Sequence, residues 1–159
     1  MLSHDDSRSE TRRYYHDLGA KISEFPMNIQ AAQTARDLGD WIIFGAPNAA
    51  RGGSHLGSPG AGDMIERGLC DILASDYFYP AMLSAMARLL AQGRGTLAQL
   101  WPLISTNPAR ALGLHDRGAI ALGQRADLVL LDWPEGEAPA ARLTLVAGRP
   151  AYQATPYPL

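Results

Sequence analysis

Residues 28–45 read NIQAAQTARDLGDWIIFG, and this stretch decides the fold. Asn28 is a good N-cap, Ile29–Leu38 is an Ala-rich helix, and Gly39 stands where a left-handed glycine closes a helix. Trp41-Ile42-Ile43-Phe44 then forms a continuous apolar run between turn residues, which reads as a strand buried on both faces. A helix that feeds straight into such a strand is part of a βαβ unit and points to a parallel sheet.

The same alternation continues in both directions. Upstream, residues 9–18 read as a helix closed by Gly19, Ala20–Phe25 as a strand ending at Pro26, and Leu2-Ser3 as the stub of an earlier strand. Downstream, the spacing predicts a long loop from Gly45 to Gly60 and a helix over Ala61–Arg67, stopped by Gly68. A strand over Leu69–Ser75 follows, then a helix over Ala81–Gln92 with Pro80 at its start and Gly93 at its end. Thr96–Leu112 reads as helix interrupted at Pro102 and Pro108. Beyond residues 113–118 the helix period disappears. Gly118–Ile120, Asp127–Trp133 and Leu143–Ala147 read as short strands of a small β module. The expected division is therefore 1–114, a layered βα part, and 115–159, a β part.

Composition narrows the function classes. Fourteen basic residues face sixteen acidic ones, a net charge of −2, so no basic surplus draws in nucleic acid by counterion release. No run of about 18 apolar residues is present to cross a bilayer. Thirteen of the basic residues are Arg and only Lys21 is Lys, a bias that reads as base composition rather than recognition. The single cysteine, Cys70, makes no internal disulfide, and the polar start Ser3-His4-Asp5-Asp6 is no signal peptide. A soluble cytoplasmic protein is the expectation.

In parallel α/β folds the chemistry lies at the carboxyl ends of the strands. His4, Asp5 and Asp6 follow the first strand stub, and Glu24 closes the second strand. Asn48, Arg51, Gly52, Gly53, Ser54 and His55 lie in the loop after the third, and Asp76 comes just past the fourth. A carboxylate directly after a buried strand is paired, metal-bound or turned to a solvated cleft; the bland alternative for Asp76 is a cap for the helix at Ala81. Asp5 and Asp6 either orient a liganding imidazole or begin the next helix. The glycines at 52 and 53 let backbone N–H groups turn toward an anion, and Arg51 can grip phosphate through two hydrogen bonds. No Gly-Lys-Ser/Thr is present, so the loop is not a P-loop. His16 and His115 have no partner at a telling spacing and read as structural or surface residues.

Three stretches together resemble the amidohydrolase superfamily, whose members are metal-dependent hydrolases on a (β/α)8 barrel. They are Ser105-Thr106-Asn107-Pro108-Ala109-Arg110-Ala111-Leu112-Gly113-Leu114, the run Gly118 to Val129 ending Ala126-Asp127-Leu128-Val129, and Val146-Ala147-Gly148-Arg149-Pro150. Ser3–Asp6, Ile22–Pro26, Gly45–His55 and Asp71–Tyr77 resemble the branch of that superfamily that works in phosphonate metabolism. The resemblance implies the C-terminal half of a TIM-type barrel followed by a small β-sandwich. It implies hydrolysis of a ribose 1-methylphosphonate 5-triphosphate to the 5-phosphate and pyrophosphate.

Carried onto this sequence, the resemblance makes Asp76 a metal ligand and general base, His4 a second ligand on the fifth or sixth barrel strand, and His55 a third. It assigns Asn48, Arg51, Gly52, Gly53 and Ser54 to the triphosphate, and zinc or a similar divalent ion as cofactor. The family's first-strand His-x-His motif and bridging carboxylate or carbamylated lysine have no counterpart here. The expectation is thus a truncated chain, inactive alone. The alternatives are a non-catalytic half-barrel that pairs with a partner or with itself as a homo-oligomer, and an amidohydrolase acting on a C–N bond.

Overall fold

The computed structural model describes residues 1–52 and 59–154. Strands β1 (Leu2–His4), β2 (Ile22–Glu24), β3 (Trp41–Gly45) and β4 (Ile72–Ala74) form one parallel sheet in the order β1-β2-β3-β4. Helices α1 (Ser9–Asp17) and α2 (Ile29–Asp37) make the first two crossovers. The third crossover carries α3 (Ala46–Arg51) and α4 (Ala61–Glu66), and α5 (Ala81–Ala91) follows β4. The chain is therefore α/β with a parallel sheet.

Register fixes which residues share a face. Ser3, Ser23 and Ile42 stand side by side, as do His4, Glu24 and Ile43. The face of Ser3, Ser23 and Ile42 is covered by helices. Ile42, Phe44 and Leu73 pack there with Ala32 and Ala35 of α2, Met64 of α4, and Ala85, Met86 and Leu89 of α5. On the opposite face Leu2 and His4 are exposed, and Ile22, Glu24, Trp41 and Ile43 are half-buried. Parallel sheets are ordinarily covered on both sides.

The covered face also holds an unexpected polar core. Arg12 of α1 is fully buried; it donates to Ser3 Oγ, to the Ala20 carbonyl and, at 3.1 Å, to Asp6 Oδ2. Ser3 and Ser23 both donate to the same Asp6 oxygen, at 2.6 and 3.2 Å. Buried charges of this kind persist only when paired and hydrogen-bonded. His16 Nδ1 lies 2.8 Å from Asp40 Oδ1, so it joins this network as a structural residue.

Several elements differ from the sequence reading. The loop expected over 45–60 begins with the helix α3. Pro47 sits in its first turn, where a missing N–H costs nothing, and Gly52 ends it in a left-handed conformation with φ +87°. Between Thr96 and Leu112 the chain forms α6 (Leu97–Leu100), a 3₁₀ turn over Trp101–Ile104 that holds the break at Pro102, and α7 (Thr106–Ala111). The break expected at Pro108 is absent, because Pro108 sits in the first turn of α7, where it removes no helix hydrogen bond. The expected strand at Gly118–Ile120 does not form. Gly118 has φ +91°, and its carbonyl accepts from Ser105 Oγ at 3.0 Å and Thr106 Oγ1 at 2.7 Å. That ties it to the start of α7 rather than to a neighbouring strand.

The C-terminal residues form a three-stranded antiparallel sheet of β5 (Leu128–Asp132), β6 (Ala140–Val146) and β7 (Arg149–Gln153). Ala147 and Gly148, both at positive φ, make the tight turn between β6 and β7. No helix among the described residues is long and apolar enough to cross a membrane.

Candidate active site

The sheet's carboxyl edge carries backbone strain in a pattern. Asp5 directly after β1, Phe25 directly after β2, and Asp76 two residues after β4 all have positive φ, at 59°, 53° and 52°. Each such residue costs about 1–3 kcal/mol and persists where the surroundings over-determine it, typically around functional sites. The Asp5 N–H donates to the Glu24 carbonyl at 3.0 Å and the Phe25 N–H to the Ile43 carbonyl at 2.9 Å, so the ladder continues into the strained residues.

This geometry turns His4, Asp5 and Glu24 onto one edge. His4 Nδ1 lies 3.0 Å from Asp5 Oδ2, and His4 Nε2 lies 3.9 Å from Glu24 Oε2. The Phe25 ring packs edge-on against the imidazole, 5.2 Å between centroids. Asp5 thus lies against the imidazole, whereas Asp6 turns inward to Arg12. Asp76 is exposed at the end of the fourth strand, with Tyr77 beside it. Across from it, the Arg51 guanidinium stands over the Tyr77 ring, 5.5 Å from its centroid.

The remaining expected site residues separate. Asn48 is half-buried and lines a cavity of about 40 Å³ with Gly60, Asp63, Leu89 and Arg94, between α3, α4 and the end of α5. Gly52 caps α3 at φ +87°, a conformation that favours glycine, and the mobile end of the Arg88 side chain lies against it. Gly53, Ser54 and His55 lie outside the described residues. Imidazole and carboxylate are the donors a zinc-type ion takes. Among the described residues, however, no three His, Cys, Asp or Glu converge on one point. The described part of the chain does not by itself make a metal centre.

The motif residues downstream hold the structure together. Asn107 Nδ2 donates to the Asp71 carbonyl at 2.8 Å, and the Asp71 carboxylate takes the Ile42 N–H at 2.9 Å and Arg36 Nη2 at 2.7 Å. One residue thus joins α7, β3 and α2 ahead of β4. Asp127 accepts from the Ala147 N–H and from Arg125 Nε, each at 2.8 Å, and pins the β6–β7 turn to the start of β5.

Comparison with known proteins agrees with this architecture. The profile of the amidohydrolase family matches residues 3–152. The alpha-D-ribose 1-methylphosphonate 5-triphosphate diphosphatase of Escherichia coli K12 is 45% identical over 132 residues, which is 82% of this chain and 35% of that protein. An adenine deaminase of Brucella anthropi is 56% identical over 45 residues, 28% of this chain and 8% of that protein. The chain thus spans about a third of the length of the diphosphatase it matches. Among solved structures, a D-hydantoinase from Thermus sp. superposes with a TM-score of 0.68 at 15% identity, and the L-hydantoinase of Arthrobacter aurescens with 0.65 at 17%. Each superposition covers 91% of this chain and 47% of the other. With the family profile matching over nearly its whole length, this chain belongs to the amidohydrolase family.

Proposed function

We propose that this chain is the catalytic-rim portion of a hydrolase that splits a sugar 5-triphosphate, of the ribose 1-methylphosphonate type, into the 5-phosphate and pyrophosphate. The observation that carries the reading is the approach of Arg51 to Tyr77, beside Asp76. It sets a cation for phosphate oxygens over the ring of the residue that follows Asp76 in the chain. The name of the E. coli relative supports the same substrate class. In this reading Arg51 donates to the non-bridging oxygens as negative charge builds on them. The Asp76 carboxylate accepts the proton of the attacking water. Asn48, Gly52, Gly53 and Ser54 belong to the stretch assigned to the triphosphate.

The amidohydrolase superfamily is generally metal-dependent. His4 and Asp76 are the donors the described part of this chain would bring to a divalent ion, zinc by donor chemistry, with His55 as the third. The four sequentially ordered parallel strands support reading 1–114 as the last four strands of a (β/α)8 barrel and 115–159 as part of a β-sandwich. With the strand of Asp76 read as the eighth, the sheet order supports His4 on the fifth strand rather than the sixth. Pyrophosphate release from the triphosphate, by the polypeptide translated from the full reading frame that holds residues 1–159, tests the reading. Turnover that falls to background in Asp76→Asn supports it. Turnover of a hydantoin or of adenine, with none of the triphosphate, overturns it.

A further inference from the structure

We propose that Tyr77 is a positioning residue that presents Arg51 to a polyphosphate; this rests on the reading of Arg51 as the phosphate-binding cation. Arg51 ends α3, and its guanidinium lies over the Tyr77 ring, 5.5 Å from the centroid. Among the described residues Arg51 is one of several arginines without a carboxylate partner, and it is the one whose guanidinium lies over an aromatic ring.

The choice of an aromatic partner has a chemical consequence. A carboxylate would fix the guanidinium by occupying its N–H donors. A ring holds the cation through its π face and leaves the donors free to take phosphate oxygens two at a time. A long side chain on the surface ordinarily loses rotamer freedom when it grips an anion, and the ring removes part of that cost in advance. Tyr77 itself is 64% exposed, so it fills no core position that would explain its placement. It follows Asp76, whose φ of 52° is strained, so one turn carries both the carboxylate and the platform for the cation.

The test is isothermal titration of inorganic tripolyphosphate into the purified chain, with thermal unfolding as the check on folding. Arg51→Ala is expected to weaken binding about tenfold or more, the loss of a charge-assisted pair. Tyr77→Ala should weaken it about two- to fivefold, the range of an exposed cation–π contact. Tyr77→Phe should bind as the parent does, because the ring rather than the hydroxyl does the positioning. In the Arg51→Ala background, Tyr77→Ala should have no further effect, which a merely structural role for Tyr77 does not produce. If Arg51→Ala weakens binding but Tyr77→Ala does not, or if Tyr77→Ala acts equally without Arg51, the positioning role is overturned and the reading of Arg51 stands. If Arg51→Ala changes nothing, or the parent chain takes up no tripolyphosphate, the reading of Arg51 falls and the positioning role with it.

Discussion

Arg12 and Asp40 form an ion pair closed to solvent on both sides: Nε lies 3.3 Å from Oδ2, and both side chains are fully buried. The angle is poor for a hydrogen bond, so Nε has no hydrogen-bond partner and the attraction is coulombic. The other guanidinium nitrogens reach Ser3, Asp6 and the Ala20 carbonyl. One cation thus lies between two buried carboxylates, Asp6 beside the β1 strand end and Asp40 at the entry to β3, where His16 also approaches Asp40.

Replacing that cation by an apolar side chain of similar length leaves Asp6 buried with only the Ser3 and Ser23 hydroxyls, and Asp40 with only His16. Arg12→Met is expected to destabilise the chain by about 3–5 kcal/mol, the usual cost of removing one partner of a buried pair. Urea unfolding measures it. Restoring neutrality with Asp6→Asn and Asp40→Asn in the Arg12→Met background should recover part of the loss. An Arg12→Met chain as stable as the parent removes the network from the account of stability.

Gly118 lies where the helical part turns toward the small sheet. A Cβ there would meet Ala109 Cβ at 2.7 Å and the Ser105 carbonyl at 3.1 Å, and its φ is +91°. Both the clash and the conformation oppose any side chain. Gly118→Ala should cost about 1–3 kcal/mol, the range for overpacking a tight site. The readout is a fall in Tm of several degrees. Gly113, with φ +69° and nothing within 4 Å of its Cβ position, is the control that carries the conformational cost alone.

Cys70 is buried, and desolvation pushes its thiol from 9.0 up to about 12, with the neighbouring Asp71 charge adding to the rise. At pH 8 roughly one thiol in 10⁴ is then the reactive thiolate. Alkylation by iodoacetamide should be negligible in the native chain at pH 8 and rapid in denaturing urea. Prompt labelling of the native chain would mean that the β4 edge opens readily.

Fold and site were legible to different depths, for physical reasons. Trp41–Phe44 announced itself because a strand buried on both faces is apolar throughout, and Ile29–Leu38 because Asn28 caps it; its side chain accepts from the Ala31 N–H at 2.8 Å. Helix α3 was hidden because Gly45, Pro47 and Gly52 punctuate six residues in a way that reads as loop. Ser3, Asp6, Arg12 and Ser23 gave no sign of burial, since a polar core looks like a polar surface to any hydrophobic pattern. His4 and Asp76 could be placed at one rim because strand ends in a parallel sheet share an edge. The stacking of Arg51 on Tyr77 joins residues 26 positions apart on different elements, and no spacing rule encodes it.

Asp127 is the residue whose titration should be visible in stability. The Ala147 N–H that it accepts lowers its pKa from 3.8, and the hydrogen bond and charge of Arg125 and the charge of Arg117 lower it further. Folding therefore favours the ionised form. A carboxylate lowered in this way adds stability that is complete above its unfolded pKa of 3.8 and is lost as pH falls through the folded value. Asp127→Asn should melt below the parent at pH 7, because the amide holds Arg125 and Arg117 less well. The gap should close as the pH is taken from 4 down to 2, where the parent's carboxyl is itself protonated. Melting curves of the two proteins across that interval decide the matter: a gap that stays constant to pH 2 would place the role of Asp127 in shape rather than in charge.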